Sequence, residues 1–373
     1  MGNTLPGSPV DLLRRMVEVY SPTGSEGRLA TLIADELEQA GFCVEIDLAG
    51  NVVGTLDGED PSLLLCGHMD TVTPELPVSM DDKYIYGRGA VDAKGPLTAL
   101  ISAAIQLHED GYQGRLTVAG VVDEEGGNEG IKQLIKDDRR ADYAVFGEPT
   151  NVDTITVGYK GSLLIVTKCE TEPGHSSAPW LFDNAIEKSY ELWTRLKDIR
   201  MQQGSKKSHF NSITPCLLHI DGRNIGSVIP SQCEMRVGFR IPPGISVEQL
   251  EECIGLEVRD FKQNNTSIKI SEKTLDSVEP YLADKRSSLV KAFTRSIWKE
   301  KGVQVRLLNK TGSGDMNYYG PQMGVPVITY GPGDAHLDHT KYERLSLEDL
   351  LHSIVIIKRA IKNMRDLAEN KFR

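Results

Sequence analysis

Leu64-Leu65-Cys66-Gly67-His68-Met69-Asp70-Thr71, followed by Gly87-Arg88-Gly89-Ala90-Val91-Asp92-Ala93-Lys94-Gly95, decides how this chain is built. The apolar run reads as a buried strand. Period-two alternation sends His68 and Asp70 to the same side at its carboxyl end. Asp92 follows in a Gly-bounded loop ahead of an apolar helical stretch. One imidazole and two carboxylates beyond the end of a strand are how an open α/β sheet assembles a metal site.

The pattern around this stretch alternates between helix and strand. Ser25 is placed to cap a helix with the apolar stripe Leu29, Leu32, Ile33 and Leu37, ending at Gly41. Strand-like runs cover residues 42–47, 63–66, 116–122 and 143–146. Pro96 sits in the first turn of a helix carrying Leu97, Leu100, Ile101, Ala104 and Ile105, where its missing N–H costs little. This alternation predicts an α/β sheet covered by helices. After Gly161 the order becomes strand 163–168, helix 183–200, strands 216–220 and 233–240, helix 247–261 and strand 267–270. That β-α-β-β-α-β order is ferredoxin-like. The chain then returns to an α/β pattern, with strand 325–329 and a last helix capped by Ser346 and Asp349 ahead of Leu350, Leu351, Ile354 and Ile357. The expected organisation is a catalytic domain made of residues 1–160 and 274–373, interrupted by an inserted domain at 161–273.

Composition narrows the function class. A chain of 373 residues is long for one core. A net charge of -11 lacks the basic footprint of a nucleic-acid binder. The six cysteines include no C-x-x-C pair and read as reduced thiols of a cytosolic protein. The start shows no signal-peptide pattern, and no apolar run approaches membrane-spanning length, so a soluble cytoplasmic protein is expected.

Three further loops after strands carry ligand-type side chains: Val122-Asp123-Glu124-Glu125-Gly126-Gly127, Gly147-Glu148-Pro149-Thr150, and His336-Leu337-Asp338-His339-Thr340 after Tyr330-Gly331-Pro332-Gly333. Adjacent carboxylates repel unless a cation neutralises them. Zinc accepts imidazole and carboxylate ligands, and two zincs share a bridging carboxylate in dinuclear sites. Taken singly, His68 reads as a satisfied buried histidine, Glu124-Glu125 as a solvated pair and Asp92 as a turn residue.

The order HMD, GRGAVDAKG, DEEGG, GEPT, PGHSSAP and a late His in a Gly-Pro loop resembles the dinuclear zinc amidohydrolases, among them aminoacylase, acetylornithine deacetylase and succinyl-diaminopimelate desuccinylase. The resemblance implies a zinc-exopeptidase-like mixed sheet flanked by helices, with the inserted ferredoxin-like α+β domain serving as lid and dimerisation domain of a homodimer. It implies two zinc ions per chain, with cobalt a possible substitute. His68 and Glu148 would bind one ion, Glu125 and His339 the other, and Asp92 would bridge them. His339 is preferred to His336 because Glu343 follows it at the family's H-x-x-x-E spacing. Asp70 would orient His68, and Glu124 would be the general base. His175 of Pro173-Gly174-His175-Ser176-Ser177 would steady the oxyanion in the partner subunit's site. Arg240 would anchor a substrate carboxylate, though it also reads as a surface strand residue.

Lys310-Thr311-Gly312-Ser313-Gly314-Asp315-Met316-Asn317 resembles the subgroup that releases lysine or ornithine from an amino-group carrier protein, or from the N-acetyl derivative. Asp315 is then a partner for the distal amine, or alternatively a residue ordering a Gly-rich loop. Two features depart from that subgroup. Ser227 stands before Val228-Ile229-Pro230 where many relatives have Asn, and the charge of -11 opposes the acidic carrier unless a patch such as Lys160, Lys206 and Lys207 offsets it. The competing readings are a general N-acylamino-acid or succinyl-diaminopimelate hydrolase or dipeptidase, and a non-catalytic metal-dependent binding module.

Overall fold

The computed structural model describes residues 7–199, 208–224 and 226–369; Lys206 and Lys207 lie outside the described residues. The chain divides into two compact units. The first runs to Gly158 and resumes at Ala283–Asn309 and from Gly314; the second comprises Tyr159–Leu282 and Lys310–Ser313.

The strand Glu59–His68 is central to the first unit, and its last six residues are buried. A strand covered on both faces cannot alternate apolar with polar, which is why it reads as a continuous apolar run. It pairs in parallel with Gly114–Val121 on one side and Tyr143–Phe146 on the other. Tyr143–Phe146 pairs in parallel with Val327–Thr329. Antiparallel strands flank these four: Val52–Leu56 and then Cys43–Ile46 beyond Gly114–Val121, and Thr154–Tyr159 beyond Val327–Thr329. The sheet is therefore mixed, and its four parallel strands all end on one edge.

Helix Lys94–Glu109 is buried over most of its surface, with Pro96 in its first turn. The last helix, Leu347–Glu369, packs against it and against Ser288–Lys301. The Ser346 hydroxyl accepts from the Asp349 N–H at 3.2 Å. Leu350, Ile354 and Ile357 of the expected stripe are buried, whereas Leu351 is exposed. The expected Ser25 cap is corrected. Helix Gly27–Gln39 has Glu26 at its N-cap, and no side chain caps it. The Ser25 N–H instead closes a turn onto the Pro22 carbonyl, and the Glu26 carboxylate accepts from Gly24 and Asp123.

The second unit holds a four-stranded antiparallel sheet in the order Thr214–Asp221, Gln232–Ile241, Gly161–Glu170, Lys269–Val278. In chain order this is 2-3-1-4, the ferredoxin-like arrangement. Helices Ala185–Leu196 and Val247–Asn264 share its core, which includes Leu192, Met235, Phe239 and Phe261. The second helix opens on a capping box between Ser246 and Gln249. Strand Lys269–Val278 is longer than its apolar signal, because Glu272, Lys273 and Asp276 lie along it. Phe239 is fully buried, so Phe239→Ala should destabilise the protein by about 3–5 kcal/mol through lost contacts and a cavity. Denaturant unfolding checks this, and a change below about 1 kcal/mol would mean the core collapses to fill the space.

Candidate metal centre

Because the parallel strands end together, the loops after them converge. His68 closes strand Glu59–His68, Glu124 and Glu125 follow Gly114–Val121, Glu148 follows Tyr143–Phe146, and His339 lies beyond Val327–Thr329. Gly331 has no Cβ to clash with Pro96 and the Glu148 carbonyl, which an added Cβ would meet at 2.7 and 2.8 Å.

His68 is 1% exposed, and acceptors surround its ring. Nδ1 lies 2.9 Å from the Asp70 carbonyl oxygen, and Nε2 lies 3.2 Å from Asp92 Oδ1 and 3.6 Å from Glu148 Oε1. A carbonyl only accepts, so Nδ1 carries a hydrogen and Nε2 is the atom left to coordinate. The second oxygen of Asp92, Oδ2, lies 3.1 Å from His339 Nε2, which also meets Glu125 Oε1 at 2.7 Å. Asp92 therefore faces one histidine with each oxygen. Three overlapping donor sets result, His68–Asp92–Glu148, Asp92–Glu125–His339 and His68–Glu124–Glu125, each with its ligand atoms within 4.8 Å of one another, and Asp92 belongs to the first two. Imidazole nitrogen with carboxylate oxygen is the donor chemistry that divalent zinc accepts. His339 adopts φ +59°, a left-handed conformation rare for a non-glycine residue, so surrounding contacts hold its ring toward Asp92. His336 is almost fully exposed and pairs with Asp334, away from this cluster.

The electrostatics show the cluster's demand for positive charge. Burial alone would lower the His68 pKa, but the carboxylates of Asp70 and Asp92 outweigh it and hold the value well above the ordinary range. The hydrogen bond to Asp92 pushes His339 up to about 9, against some desolvation. Burial raises Glu124 far above a usual carboxylate, and the charges of Glu148, Asp315 and Asp92 add to it. Burial and Asp92 raise Glu125 as well. A metal relieves all of these at once by replacing protons with a fixed divalent charge.

Asp70 does more than the sequence suggested. Its carbonyl makes the short contact to His68, while its carboxylate Oδ1 stands off at 3.4 Å. That carboxylate accepts from the backbone N–H groups of Glu124 at 3.1 Å and Glu125 at 3.0 Å, and from the Thr23 hydroxyl at 2.8 Å. It fixes the turn that presents both glutamates. The expected same-side alternation misses this, because the strand ends at His68 and Asp70 lies beyond it.

Glu343 plays the equivalent part on the other side. It is buried, its Oε1 accepts from the N–H groups of Val91 and Asp92 at 3.0 and 3.1 Å, and its Oε2 pairs with Arg88 at 2.8 Å. The H-x-x-x-E spacing pointed to Glu343, but no sequence signal showed which backbone it holds. Lys94 is also fully buried; desolvation lowers its pKa to about 7, and its ammonium donates to the Val19 carbonyl at 2.6 Å.

Asp315 opens helix Asp315–Met323 and accepts from Asn128 Nδ2 at 3.3 Å. Burial raises its pKa to about 7, with the charge of Asp70 adding and that of His68 opposing. His175 and Arg240 belong to the second unit. His175 is exposed, with Nδ1 2.8 Å from the Ser177 hydroxyl, and its segment meets Ser227 through the Ser176 N–H. Arg240 is exposed and donates to the Ser313 hydroxyl at 2.8 Å. Cys66 is core packing, and burial pushes its thiol well up.

A family model described as peptidase family M20/M25/M40 matches residues 64–363. A putative LysW-lysine/LysW-ornithine hydrolase of Pyrococcus abyssi is 36% identical over 361 residues, 95% of this chain and 94% of that protein. A LysW-lysine/LysW-ornithine hydrolase of Sulfurisphaera tokodaii is 30% identical over 355 residues, 95% of each chain. Among solved structures, a Staphylococcus aureus tripeptidase superposes with a TM-score of 0.81 at 22% identity, covering 96% of this chain and 98% of that one. An M20 family metallo-carboxypeptidase of Sulfolobus solfataricus gives 0.80 at 17% identity, covering 96% and 99%. At these identities the two structures speak for the fold.

Glu343→Gln keeps the shape but loses the charge that Arg88 and two backbone donors face. It should weaken divalent-metal binding about 10- to 100-fold. Titration of metal-free protein with zinc, alongside circular dichroism to verify folding, checks this. Unchanged affinity in a folded variant would remove Glu343 from the site.

Proposed function

The chain belongs to peptidase family M20/M25/M40 and is a hydrolase of that family, and we propose that it cleaves the amide on the α-amino group of lysine or ornithine. The acyl partner is the C-terminal glutamate γ-carboxyl of an amino-group carrier protein, or acetate in the N-acetyl derivative. The observation that carries the reaction class is Asp92, whose two oxygens face His68 and His339 at 3.2 and 3.1 Å. The names of relatives that match 95% of the chain at 30–36% identity support the substrate.

We assign two zinc ions, with cobalt able to replace them, to the two donor sets that contain Asp92. His68 and Glu148 would hold one ion and Glu125 and His339 the other, with Asp92 available to both. Ions held there would supply Lewis acidity. Glu124, beside the candidate ligand Glu125, takes the proton of the water on its carboxylate and returns it to the departing α-amine. Asp70 keeps that carboxylate in place through the backbone. Asp315 pairs with the distal amine of lysine or ornithine, and Arg240 receives the substrate carboxylate. The inserted unit is the lid and dimerisation domain of a homodimer, and His175 steadies the oxyanion in the partner's site. The six free cysteines suit a cytoplasmic enzyme. No described helix is long and apolar enough to cross a membrane.

Zinc reconstitution should approach two ions per chain. Glu124→Gln should keep both ions while turnover falls about 10²–10⁴-fold. Carrier-linked lysine, N-acetyl-lysine, N-acetyl-ornithine and succinyl-diaminopimelate should be assayed side by side, with the lysine and ornithine amides turned over fastest. Asp315→Ala should penalise them far more than an N-acetyl-leucine control. Faster wild-type turnover of neutral acylamino acids would move the enzyme to general aminoacylase chemistry, and an active Glu124→Gln would dismiss the base.

The dimeric site has its own test. Mixing His175→Ala with Glu124→Gln chains should restore part of the activity, since one hybrid site carries both intact groups. No recovery despite proven subunit exchange would return His175 to its own chain.

A further inference from the structure

The acidic carrier of the proposed reaction faces a chain of net charge -11. The patch first considered for offsetting this repulsion fails at Lys160. That side chain is fully buried and donates to the carbonyls of His209 and Ser212 and the hydroxyl of Thr214, so it is a structural tie within the second unit.

The first unit offers a different surface. Between residues 285 and 301 the chain carries Lys285, Arg286, Lys291, Arg295, Lys299 and Lys301 against the single acid Glu300. Helix Ser288–Lys301 spans most of this segment. It turns Leu289, Ala292, Phe293 and Ile297 into the core, where Phe293 packs edge-on against Tyr330 at 5.2 Å. The opposite face, Lys291, Arg295, Trp298 and Lys299, is left to solvent. Glu300 does not neutralise it, because His352 and Arg359 engage its carboxylate at 2.9 and 3.0 Å. Among the described residues, no ion pair holds Lys285, Lys291 or Arg295.

This face forms one wall of a groove of about 810 Å³, with Val305 and Leu307 across from it. Its floor is apolar and its rim is cationic. Trp298 on the helix is 65% exposed, and Leu307 on the strand 38%. An aromatic anchor ringed by unpaired cations is the composition of a protein-binding hot spot for an acidic partner.

We propose that the groove between helix Ser288–Lys301 and strand Arg306–Lys310 is the docking site for the acidic carrier protein that delivers the substrate amide. The inference rests on the proposed function and deepens it by naming the surface that holds the carrier. Charge complementarity selects the partner, and the apolar floor distinguishes it from a nucleic acid. Val290, Val305 and Leu307 offer aliphatic pockets for side chains, and only Trp298 offers a stacking surface.

The test uses the full-length, metal-loaded enzyme, with the rim reversed in K291E/R295E and the anchor removed in Trp298→Ala. On carrier-linked lysine, kcat/KM should fall about 10- to 100-fold through KM. The salt sensitivity seen in the wild type should shrink in K291E/R295E. Kinetics on N-acetyl-lysine should stay unchanged, which also shows that the variants fold. Equal kinetics of wild type and variants on the carrier-linked substrate overturn the proposal.

If the wild type does not turn over carrier-linked lysine, the functional reading fails separately. The groove is then judged by fluorescence anisotropy of a Glu-rich peptide with one central leucine. Salt-sensitive binding lost in K291E/R295E retains a docking site for acidic protein, and binding that is absent or unaffected overturns it. A single-stranded oligonucleotide that binds more tightly than the peptide, and is released by the same reversal, also overturns it.

Discussion

Carboxylates gathered around two histidines at the edge of a sheet are stable only if something positive joins them. Asp92, Glu124, Glu125 and Glu148 converge on His68 and His339, and the resulting field drives both imidazole pKa values up despite burial. Protons meet this demand poorly, because each neutralises one charge and leaves the oxygens competing. Divalent charge answers it better, and Asp92 belongs to two of the donor sets that the cluster offers.

The structure devotes buried polar groups to holding that arrangement rather than to the core. Asp70 fixes the backbone of Glu124 and Glu125, and Glu343 fixes that of Val91 and Asp92. Arg88 balances Glu343 at a depth where an unpaired carboxylate would be costly. Lys94 is buried nearby with its ammonium tied to a carbonyl. Of the candidate ligands, His68 ends a strand and the others sit on loops, and the residues that aim them come from other parts of the chain. Only a sheet whose four parallel strands end together brings both groups to one place.

Charge is unevenly distributed at larger scale too. The acidic total conceals a short basic segment on helix Ser288–Lys301, and the same helix turns a tryptophan outward. A net charge therefore says little about partners until the fold shows which residues share a face. Lys160 teaches the converse, since a lysine counted toward the surface is enclosed within the second unit.

The sequence by itself determined the fold class, because a continuous apolar run marks a doubly covered strand and the β-α-β-β-α-β order marks the inserted unit. It also brought His68, Asp92, Glu125, Glu148 and His339 forward as donors, since His68 ends an apolar strand, the others lie in loops beyond strands, and the motifs occur in one order. The preference for His339 over His336 came from spacing to Glu343, and the fold puts His339 beside Asp92 while His336 points to solvent. What only the tertiary structure decided were the contacts between distant segments: that the Asp70 carboxylate serves Glu124 and Glu125, that Glu343 serves Asp92, that Glu26 replaces Ser25 at a helix start, and that Lys160 is internal. Periodicity and propensity describe a residue's neighbours within a few positions. A hydrogen bond between residues 54 or 251 positions apart depends on how strands order themselves in a sheet, and local sequence does not encode that.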